Sequence, residues 1–329
     1  MGSSRSERRS AGRASSDADA LAARRYLDAA GRRVDRALDR LIPAAKERPQ
    51  VIHEAMRYTA LSEGKRLRPA MVLLAYESMG GCGHRADAVA ATLEMVHAFS
   101  LIHDDLPAMD DDDYRRGRLS NHKVFGEGVA ILAGDALLTR SFHLLGELAR
   151  PAALGPAVAA RLVKELGDAA GSAGVVGGQA LDLLSEGRKT SRATLLYIHR
   201  HKTARLFTAA LRMGGIAADA PAARLSLLTR YGEGFGLAFQ IVDDILGAAG
   251  TFRELGREPG RDAERGKATY PAVIGFDASH RAVDRHLAAA RRAAARMPLR
   301  REVYRGLADM LDARRRDAGG ALLRPAGKR

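Results

Sequence analysis

The chain lacks tryptophan and has one cysteine, Cys82, among its 329 residues. A single cysteine excludes an internal disulfide and is typical of a reducing compartment. Aromatic residues make up only 5% of the chain, so alanine, leucine, valine and methionine must fill the core. That composition favours helix-on-helix packing over a β-sheet.

Long apolar runs are also missing. No apolar stretch approaches the ~20 residues of a membrane-spanning helix, and the first residues do not form a secretory signal. We therefore expect a cytoplasmic protein with no membrane span. We further expect a disordered basic tail over residues 1–20, one helical domain over 21–318 and a flexible tail over 319–329.

The net charge of +14 is concentrated at the two ends of the chain. Residues 281–329 contribute +9 and residues 1–16 contribute +3, which leaves +2 for residues 17–280. Basic ends of this kind are usually solvated, so the charge predicts no specific nucleic-acid partner.

Helical periodicity begins near Leu21 and continues to about residue 316, whereas alternating β patterns are essentially missing. No internal repeat or linker divides the chain. The sequence predicts an all-α, single-domain bundle of about ten or more helices around a central cavity. The candidate helices are 21–41, 50–62, 67–80, 86–106, 128–148, 156–171, 191–214, 223–249, 279–297 and 300–316.

Two of these segments carry paired acids on otherwise apolar helices. Segment 86–106 is apolar on almost every side and runs into Asp104 and Asp105. Segment 235–247 is similar and carries Asp243 and Asp244. Buried carboxylates are costly unless a cation meets them, so both pairs indicate a shared functional site.

The first acidic cluster reads DDLPAMDDDDYRRG from Asp104 to Gly117. Pro107 ends the helix and lets the chain turn, so Asp110 is expected to come back towards Asp104. An oxygen-only ligand set suits Mg²⁺, and no Cys/His cluster in the sequence offers a zinc site instead. In the second cluster Gln240 shares a helix face with Asp243 and Asp244.

Basic residues supply the counter-charge. Gly64, Lys65 and Arg68 lie in a turn that opens a helix, where glycine permits close backbone approach and the helix start favours anions. Further cations follow at Arg115 and Arg116 and in two later segments, HKTAR at 201–205 and GKATYP at 266–271. Metal-holding acids together with several cation groups indicate a site for two diphosphates.

These motifs resemble the signature blocks of the polyprenyl (isoprenyl diphosphate) synthase family, over about residues 50–275 and in the family's order. The blocks that carry the resemblance, closest to bacterial farnesyl diphosphate synthases, are GKRLRP, HAFSLIHDDLPAMDDDDYRRG, NHKVFGEGVAILAGDALL, GGQALDLL, HKTARLF, FGLAFQIVDDIL and GKATYP. The resemblance implies the isoprenoid synthase fold, a homodimer, and Mg²⁺-dependent head-to-tail joining of isopentenyl diphosphate to dimethylallyl or geranyl diphosphate.

The resemblance also implies a role for each motif residue. Three Mg²⁺ ions per active site would be held by the acids, namely Asp104, Asp105, Asp110, Asp243 and Asp244. The allylic diphosphate would be bound by Arg115, Lys202, Thr203, Gln240 and Lys267. Isopentenyl diphosphate would be bound by Gly64, Lys65, Arg68, His97 and Arg116.

In this family, the residues just before the first acids help to set product length. In this chain they are Phe99 and Ser100. On a helix that rises ~1.5 Å per residue, they lie about 6–8 Å below the metals. An aromatic side chain there predicts a short product, farnesyl diphosphate (C15), with geranylgeranyl or geranyl diphosphate as alternatives.

One departure from the family pattern is Gly247, which stands where the second acidic motif usually has a third aspartate. Because Mg²⁺ accepts water ligands, we expect an active enzyme with weaker affinity for the third metal. A low-activity or regulatory subunit is the less favoured interpretation. A class I terpene cyclase is disfavoured, because it needs one diphosphate site and normally an Asn/Ser/Glu metal triad.

Overall fold

The computed structural model describes residues 3–249 and 266–316, and the side chains of residues 16–248 and 266–316. The described chain is almost entirely helical, which confirms the predicted all-α class. Its helices are α1 (Ser3–Leu41), α2 (Gln50–Ala60), α3 (Leu67–Ser78), α4 (Asp87–Asp104), α5 (Asn121–Phe125), α6 (Glu127–Glu147), α7 (Pro156–Ala170), α8 (Val175–Ser185), α9 (Arg192–Ile198), α10 (Arg205–Ala217), α11 (Ala222–Ala249), α12 (Tyr270–Ile274), α13 (Phe276–Ala294) and α14 (Arg301–Arg316).

Helix α4 runs through the centre of the bundle. It contacts α1, α2, α3, α6 and α10, and most of its side chains are buried. This position explains why its sequence is apolar on nearly every side, since a helix surrounded by other helices has no face to give to water. Its C-terminal end is therefore held rigidly at the point where Asp104 and Asp105 occur.

Helix α11 is the second central element. It packs against α10, α13 and α14, and its second half carries Asp243 and Asp244. The side chains of Phe235, Ile241 and Val242 are buried on either side of the polar positions. Apolar packing on most of its surface leaves one polar strip, which fixes the direction in which the acids point.

Four features differ from the sequence expectations. Three helices, α5, α8 and α12, occur where no helix was predicted. Helix α1 begins at Ser3, not near Leu21, and Asp19 is already buried in the bundle against Arg305. The predicted helix over 191–214 is divided by a π-helical turn, His199–Ala204. A short hairpin, β1 (Tyr114–Arg115) and β2 (Arg118–Leu119), follows the first acids. The predicted tail over 319–329 lies outside the described residues.

By length and composition alone, α6 would pass as a membrane-crossing helix. In the fold it packs along α4 and α2 through one face that includes Ala133, Leu137 and Leu144. Its opposite face exposes Ile131 and Leu132. A helix that gives one face to the protein core is weak evidence for a membrane span.

Candidate active site

The two acidic clusters face one cavity of about 430 Å³ between the ends of α4 and α11. Most of the predicted site residues form its wall: Arg68, His97, Ser100, Asp104, Asp110, Arg115, Arg116, Lys202, Thr203, Gln240, Asp243, Asp244 and Lys267. Four other predicted residues are not among the lining residues: Gly64, Lys65, Phe99 and Asp105. The structure thus brings both acid motifs and both sets of cations to a single pocket.

The loop after α4 returns Asp110 to Asp104, as the position of Pro107 predicts. The Asp110 backbone N–H donates to the Asp104 carbonyl oxygen at 2.7 Å, and the Asp110 carboxylate accepts from Lys267 Nζ at 2.8 Å. Burial raises the pKa of Asp104 to about 6; Lys202 opposes the rise and Asp110 adds to it. Two acids held this close favour a cation between them.

Asp105 is buried and is not among the residues that line the cavity. Its Oδ1 accepts hydrogen bonds from Arg115 Nε at 2.8 Å and from Arg115 Nη2, and Asp112 Oδ2 accepts from the same Nη2 at 2.9 Å. These bonds orient the Arg115 guanidinium, which does line the pocket. In this structure, therefore, Asp105 acts on the site through Arg115.

The two acids of the second pair both line the cavity but differ in their hydrogen bonds. Asp244 Oδ1 accepts from Gln240 Nε2 at 2.7 Å, and Asp244 Oδ2 accepts from the Tyr270 backbone N–H at 2.7 Å. Gln240 Oε1 in turn accepts from Thr203 Oγ1 at 2.6 Å. Asp244 thus ties α11 to α12, whereas Asp243 is the acid of the pair with about a third of its side chain exposed.

Lys202 reaches the cavity from the π-helical turn. Its Nζ donates to Asp182 Oδ2 at 2.7 Å. Although burial opposes it, Asp182, Asp104 and Asp110 together raise the pKa of Lys202, so the amine stays charged. Gly178 makes this placement possible, because a Cβ there would lie 2.3 Å from the Lys202 backbone nitrogen.

The cations expected to bind isopentenyl diphosphate form a separate group beside α4. Arg68 Nη1 lies 3.4 Å from His97 Nε2, and the Arg68 guanidinium sits 4.4 Å from the centroid of the Phe207 ring. Burial, then Arg68 and Arg116, lowers the pKa of His97 well below its usual value, which makes the ring neutral. A Cβ on Gly64 would lie 2.7 Å from Arg116 Nη1, so the Arg116 guanidinium packs directly against this glycine and would have to shift for a larger residue.

The two predicted chain-length residues occupy different places. Ser100 lines the cavity, whereas Phe99 is buried beside it and packs edge-to-face on His103, with 4.9 Å between ring centroids. Both residues lie on α4 below Asp104, as expected.

Three groups escape the sequence analysis. Arg314, on α14, lines the cavity, and its Nη1 donates to Asp243 Oδ1 at 2.5 Å. Asp182 also lines the cavity. It lies within the GGQALDLL block, to which the sequence analysis assigned no site residue. A further group of potential metal ligands joins the loop after Asp110 to helix α5, where Asp111, Asp113 and His122 place ligand atoms within 4.8 Å of one another.

The residues around the cavity fit a divalent cation. Carboxylate oxygens of Asp104, Asp110 and Asp243 face the same space, and hard oxygen ligands suit Mg²⁺. Burial raises the pKa of Asp104, so a cation beside it would favour its charged form. An Asp-rich potential metal site is therefore present.

Comparisons with known proteins identify the family to which the chain is similar. A family model described as polyprenyl synthetase matches residues 49–303. The chain is 45% identical over 252 residues to farnesyl diphosphate synthase of Escherichia coli (strain K12), covering 76% of this chain and 84% of that protein. It is 43% identical over 265 residues to geranylgeranyl pyrophosphate synthase 7, chloroplastic, of Arabidopsis thaliana, covering 80% of this chain and 75% of that protein. The solved structure of a geranyltransferase from Legionella pneumophila matches with a TM-score of 0.79 and 30% identity, covering 90% of this chain and 98% of that one.

Proposed function

This chain belongs to the polyprenyl synthetase family as a short-chain head-to-tail prenyltransferase, and we propose that its main product is farnesyl diphosphate. In this proposal it joins isopentenyl diphosphate first to dimethylallyl diphosphate and then to geranyl diphosphate. Geranylgeranyl diphosphate is the competing product, since relatives of both names match at similar identity.

The observation that carries the proposal is the shared cavity of Asp104, Asp110 and Asp243 with Lys202, Lys267 and Arg115. Acids on one wall and cations on another suit a metal-bound diphosphate. Arg68, His97 and Arg116 line the same cavity, which provides the second anion site that an acceptor diphosphate requires.

We propose three Mg²⁺ ions per active site, with Asp104 and Asp110 holding two and Asp243 holding the third. When bound, the ions would offset the charge that develops on the leaving diphosphate. Asp105 and Asp244 would act indirectly, because Asp105 does not line the cavity and both carboxylate oxygens of Asp244 already accept hydrogen bonds. Gly247 leaves the third ion with one fewer protein ligand, so its affinity is expected to be lower.

The protein's own groups supply the rest of the mechanism. Lys202, Lys267 and Arg115 would stabilise the diphosphate as the allylic C–O bond breaks. Apolar side chains such as Leu101 and Leu206 line the cavity and would keep water from the allylic cation. Arg68 and Arg116 would hold the diphosphate of isopentenyl diphosphate while its double bond attacks the allylic carbon and forms the new C–C bond. The departing diphosphate would take the proton that is lost.

The product assay tests the proposal directly. The purified chain is supplied with Mg²⁺, isopentenyl diphosphate and dimethylallyl diphosphate, and product length is measured. We expect mainly C15, and Phe99→Ala should shift the product towards C20 because it removes an aromatic ring below the metal site. Mostly C20 from the unaltered chain would refute the C15 assignment, and an unchanged length in Phe99→Ala would remove that residue from the account.

We also propose a cytoplasmic homodimer. It is supported by the outward face of α6, where Ile131 is 43% exposed and Leu132 is 56% exposed. Neighbouring large apolar side chains on a rigid helix are typical of surfaces that another subunit covers.

A further inference from the structure

Glu94 is a buried acid that the proposed mechanism does not use. It lies on α4, on the same helix as Asp104, and only 2% of its surface is exposed. It is not among the residues that line the cavity. A buried carboxylate is strongly unfavourable without a cationic partner, so its contacts indicate what it is for.

Glu94 contacts two arginines: Arg66, which lies beside the proposed isopentenyl diphosphate subsite, and Arg116, which belongs to it. Arg66 Nη1 donates to Glu94 Oε1 at 2.7 Å, and Arg116 Nη2 lies 3.8 Å from the same oxygen. Arg66 comes from the turn before α3, and Arg116 comes from the hairpin after the first acids. One carboxylate therefore joins two loops that approach the cavity from different parts of the chain.

The first of these loops has a backbone that needs such support. Arg66 has a φ of 44°, in the left-handed region that non-glycine residues rarely adopt. It stands between Lys65 and Arg68, two of the cations assigned to the subsite. A residue held in this conformation persists only when its surroundings fix it, and Arg66 is fixed by Glu94, by Asp35 Oδ1 at 2.8 Å and by the Ser62 carbonyl at 2.8 Å.

The charges in this region give Glu94 a second task. Burial, with Arg116 adding to it, lowers the pKa of Arg68 to about 10, and burial together with Arg66 lowers the pKa of Arg116. Glu94 has the opposite effect, because its negative charge raises the pKa of Arg66, Arg68 and Arg116. It is thus the acid they share, and it holds them together before any anion arrives.

We propose that Glu94 is the positioning residue of the isopentenyl diphosphate subsite, keeping Arg66 and Arg116 in place so that Arg68 and Arg116 present a preformed cradle to the acceptor's diphosphate. The inference rests on the proposed function, which supplies the identity of that subsite. It predicts that the loss of Glu94 affects the acceptor and spares the allylic substrate. The allylic ligands Lys202 and Lys267 lie on other elements, and Arg115, although next to Arg116, is held by its own acids, Asp105 and Asp112.

The test is the variant Glu94→Gln, with affinity for isopentenyl diphosphate measured by calorimetry and KM measured separately for isopentenyl and geranyl diphosphate. We expect affinity for isopentenyl diphosphate to fall about tenfold or more, because a buried hydrogen-bonded charge pair loses one partner. The KM for geranyl diphosphate should stay within about twofold of the unaltered value. Glu94→Asp keeps the charge on a shorter side chain and should recover part of the loss.

Asp87→Asn is the matched control. Asp87 is also a buried acid on α4 that pairs with an arginine, Arg33, but it lies at the opposite end of the helix from the cavity. We expect this variant to lower the melting temperature and leave both KM values unchanged.

The outcomes separate the two proposals. If the unaltered chain does not bind isopentenyl diphosphate, the proposed substrate is wrong. If the unaltered chain binds isopentenyl diphosphate and Glu94→Gln binds it equally or more tightly, the positioning role is refuted. The negative charge of Glu94 would then only repel the anion. Should Glu94→Gln fail to fold, Glu94→Asp decides: an equal loss for both substrates contradicts the inference, and a loss confined to isopentenyl diphosphate supports it.

Discussion

Arg314 shows how a single residue can alter the site. Its guanidinium bonds Asp243, the acid proposed to hold the third metal, and lies 5.8 Å from the centroid of the Phe239 ring. A guanidinium on Asp243 offsets the negative charge of the carboxylate and so weakens its attraction for a divalent cation. Gly247 removes one potential metal ligand. Competition between Arg314 and the third metal for Asp243 should therefore affect metal binding more than in a chain with a full acidic motif.

We therefore predict that Arg314→Ala strengthens divalent metal binding. Removing the competing guanidinium should lower the Mg²⁺ concentration for half-saturation several-fold. A change of this size corresponds to the loss of an ion pair of about 1 kcal/mol. The measurement is the rise in melting temperature with Mg²⁺ in the absence of diphosphate. Arg316→Ala is the control, since Arg316 is largely exposed and bonds Asp312, away from the cavity. Equal or weaker binding in Arg314→Ala would contradict this account.

At the residue scale, the sequence marks those site residues whose charge conflicts with an apolar helical segment around them. Acids at the end of an apolar helix stood out, and so did a Gly-Lys-Arg turn beside a helix start. Arg314 gave no such signal, because it lies in a run of arginines in the basic end of the chain, which was interpreted as solvated. Only the packing of α14 against α11 shows that one of these arginines faces the site.

At the element scale, the π-helical turn His199–Ala204 decides where Lys202 points. Local π-helical turns are rare and occur often at functional sites. This one packs against α8, where Gly178 lets the two backbones approach, and against α11, where a Cβ on Gly236 would lie 2.7 Å from Ala204 Cα. The turn is thus held between two helices at positions without a side chain.

Gly178→Ala should displace this turn. The added methyl would meet backbone atoms of Lys202, so we expect a loss of about 1–3 kcal/mol in the free energy of unfolding and a lower kcat. The control is Gly128→Ala on α6, where a Cβ meets nothing within 4 Å and alanine should be neutral or mildly stabilising. Denaturant unfolding and steady-state kinetics measure both effects; unchanged kcat in Gly178→Ala would show that the turn does not position Lys202.

The helices themselves were largely predictable, because apolar periodicity and proline breaks mark them. The π-helical turn was not, since its residues keep a helical pattern and the extra residue in the turn depends on tertiary contacts. The short hairpin at Tyr114 was missed for a similar reason: two-residue strands carry no periodicity.

At the scale of the whole molecule, the proposed homodimer places α6 between two cores. Its inner face packs on α4 within one chain, so a partner on its outer face would buttress the helix that carries Asp104. We predict that Leu132→Glu lowers the dimer fraction in sedimentation velocity, because a charge would replace an apolar contact at the interface. Glu127→Gln, at the first residue of the same helix, serves as the exposed control. An unaltered dimer in Leu132→Glu would exclude this face.

The central claim is that acids from α4 and α11 hold metals on one shared diphosphate. A crystal structure with Mn²⁺ and an unreactive allylic diphosphate analogue tests it most directly, because anomalous scattering locates each metal. The account predicts metals at Asp104 and Asp110 and another at Asp243, all in contact with the same diphosphate. Metals bound only at Asp111, Asp113 and His122, with the diphosphate elsewhere, would contradict it.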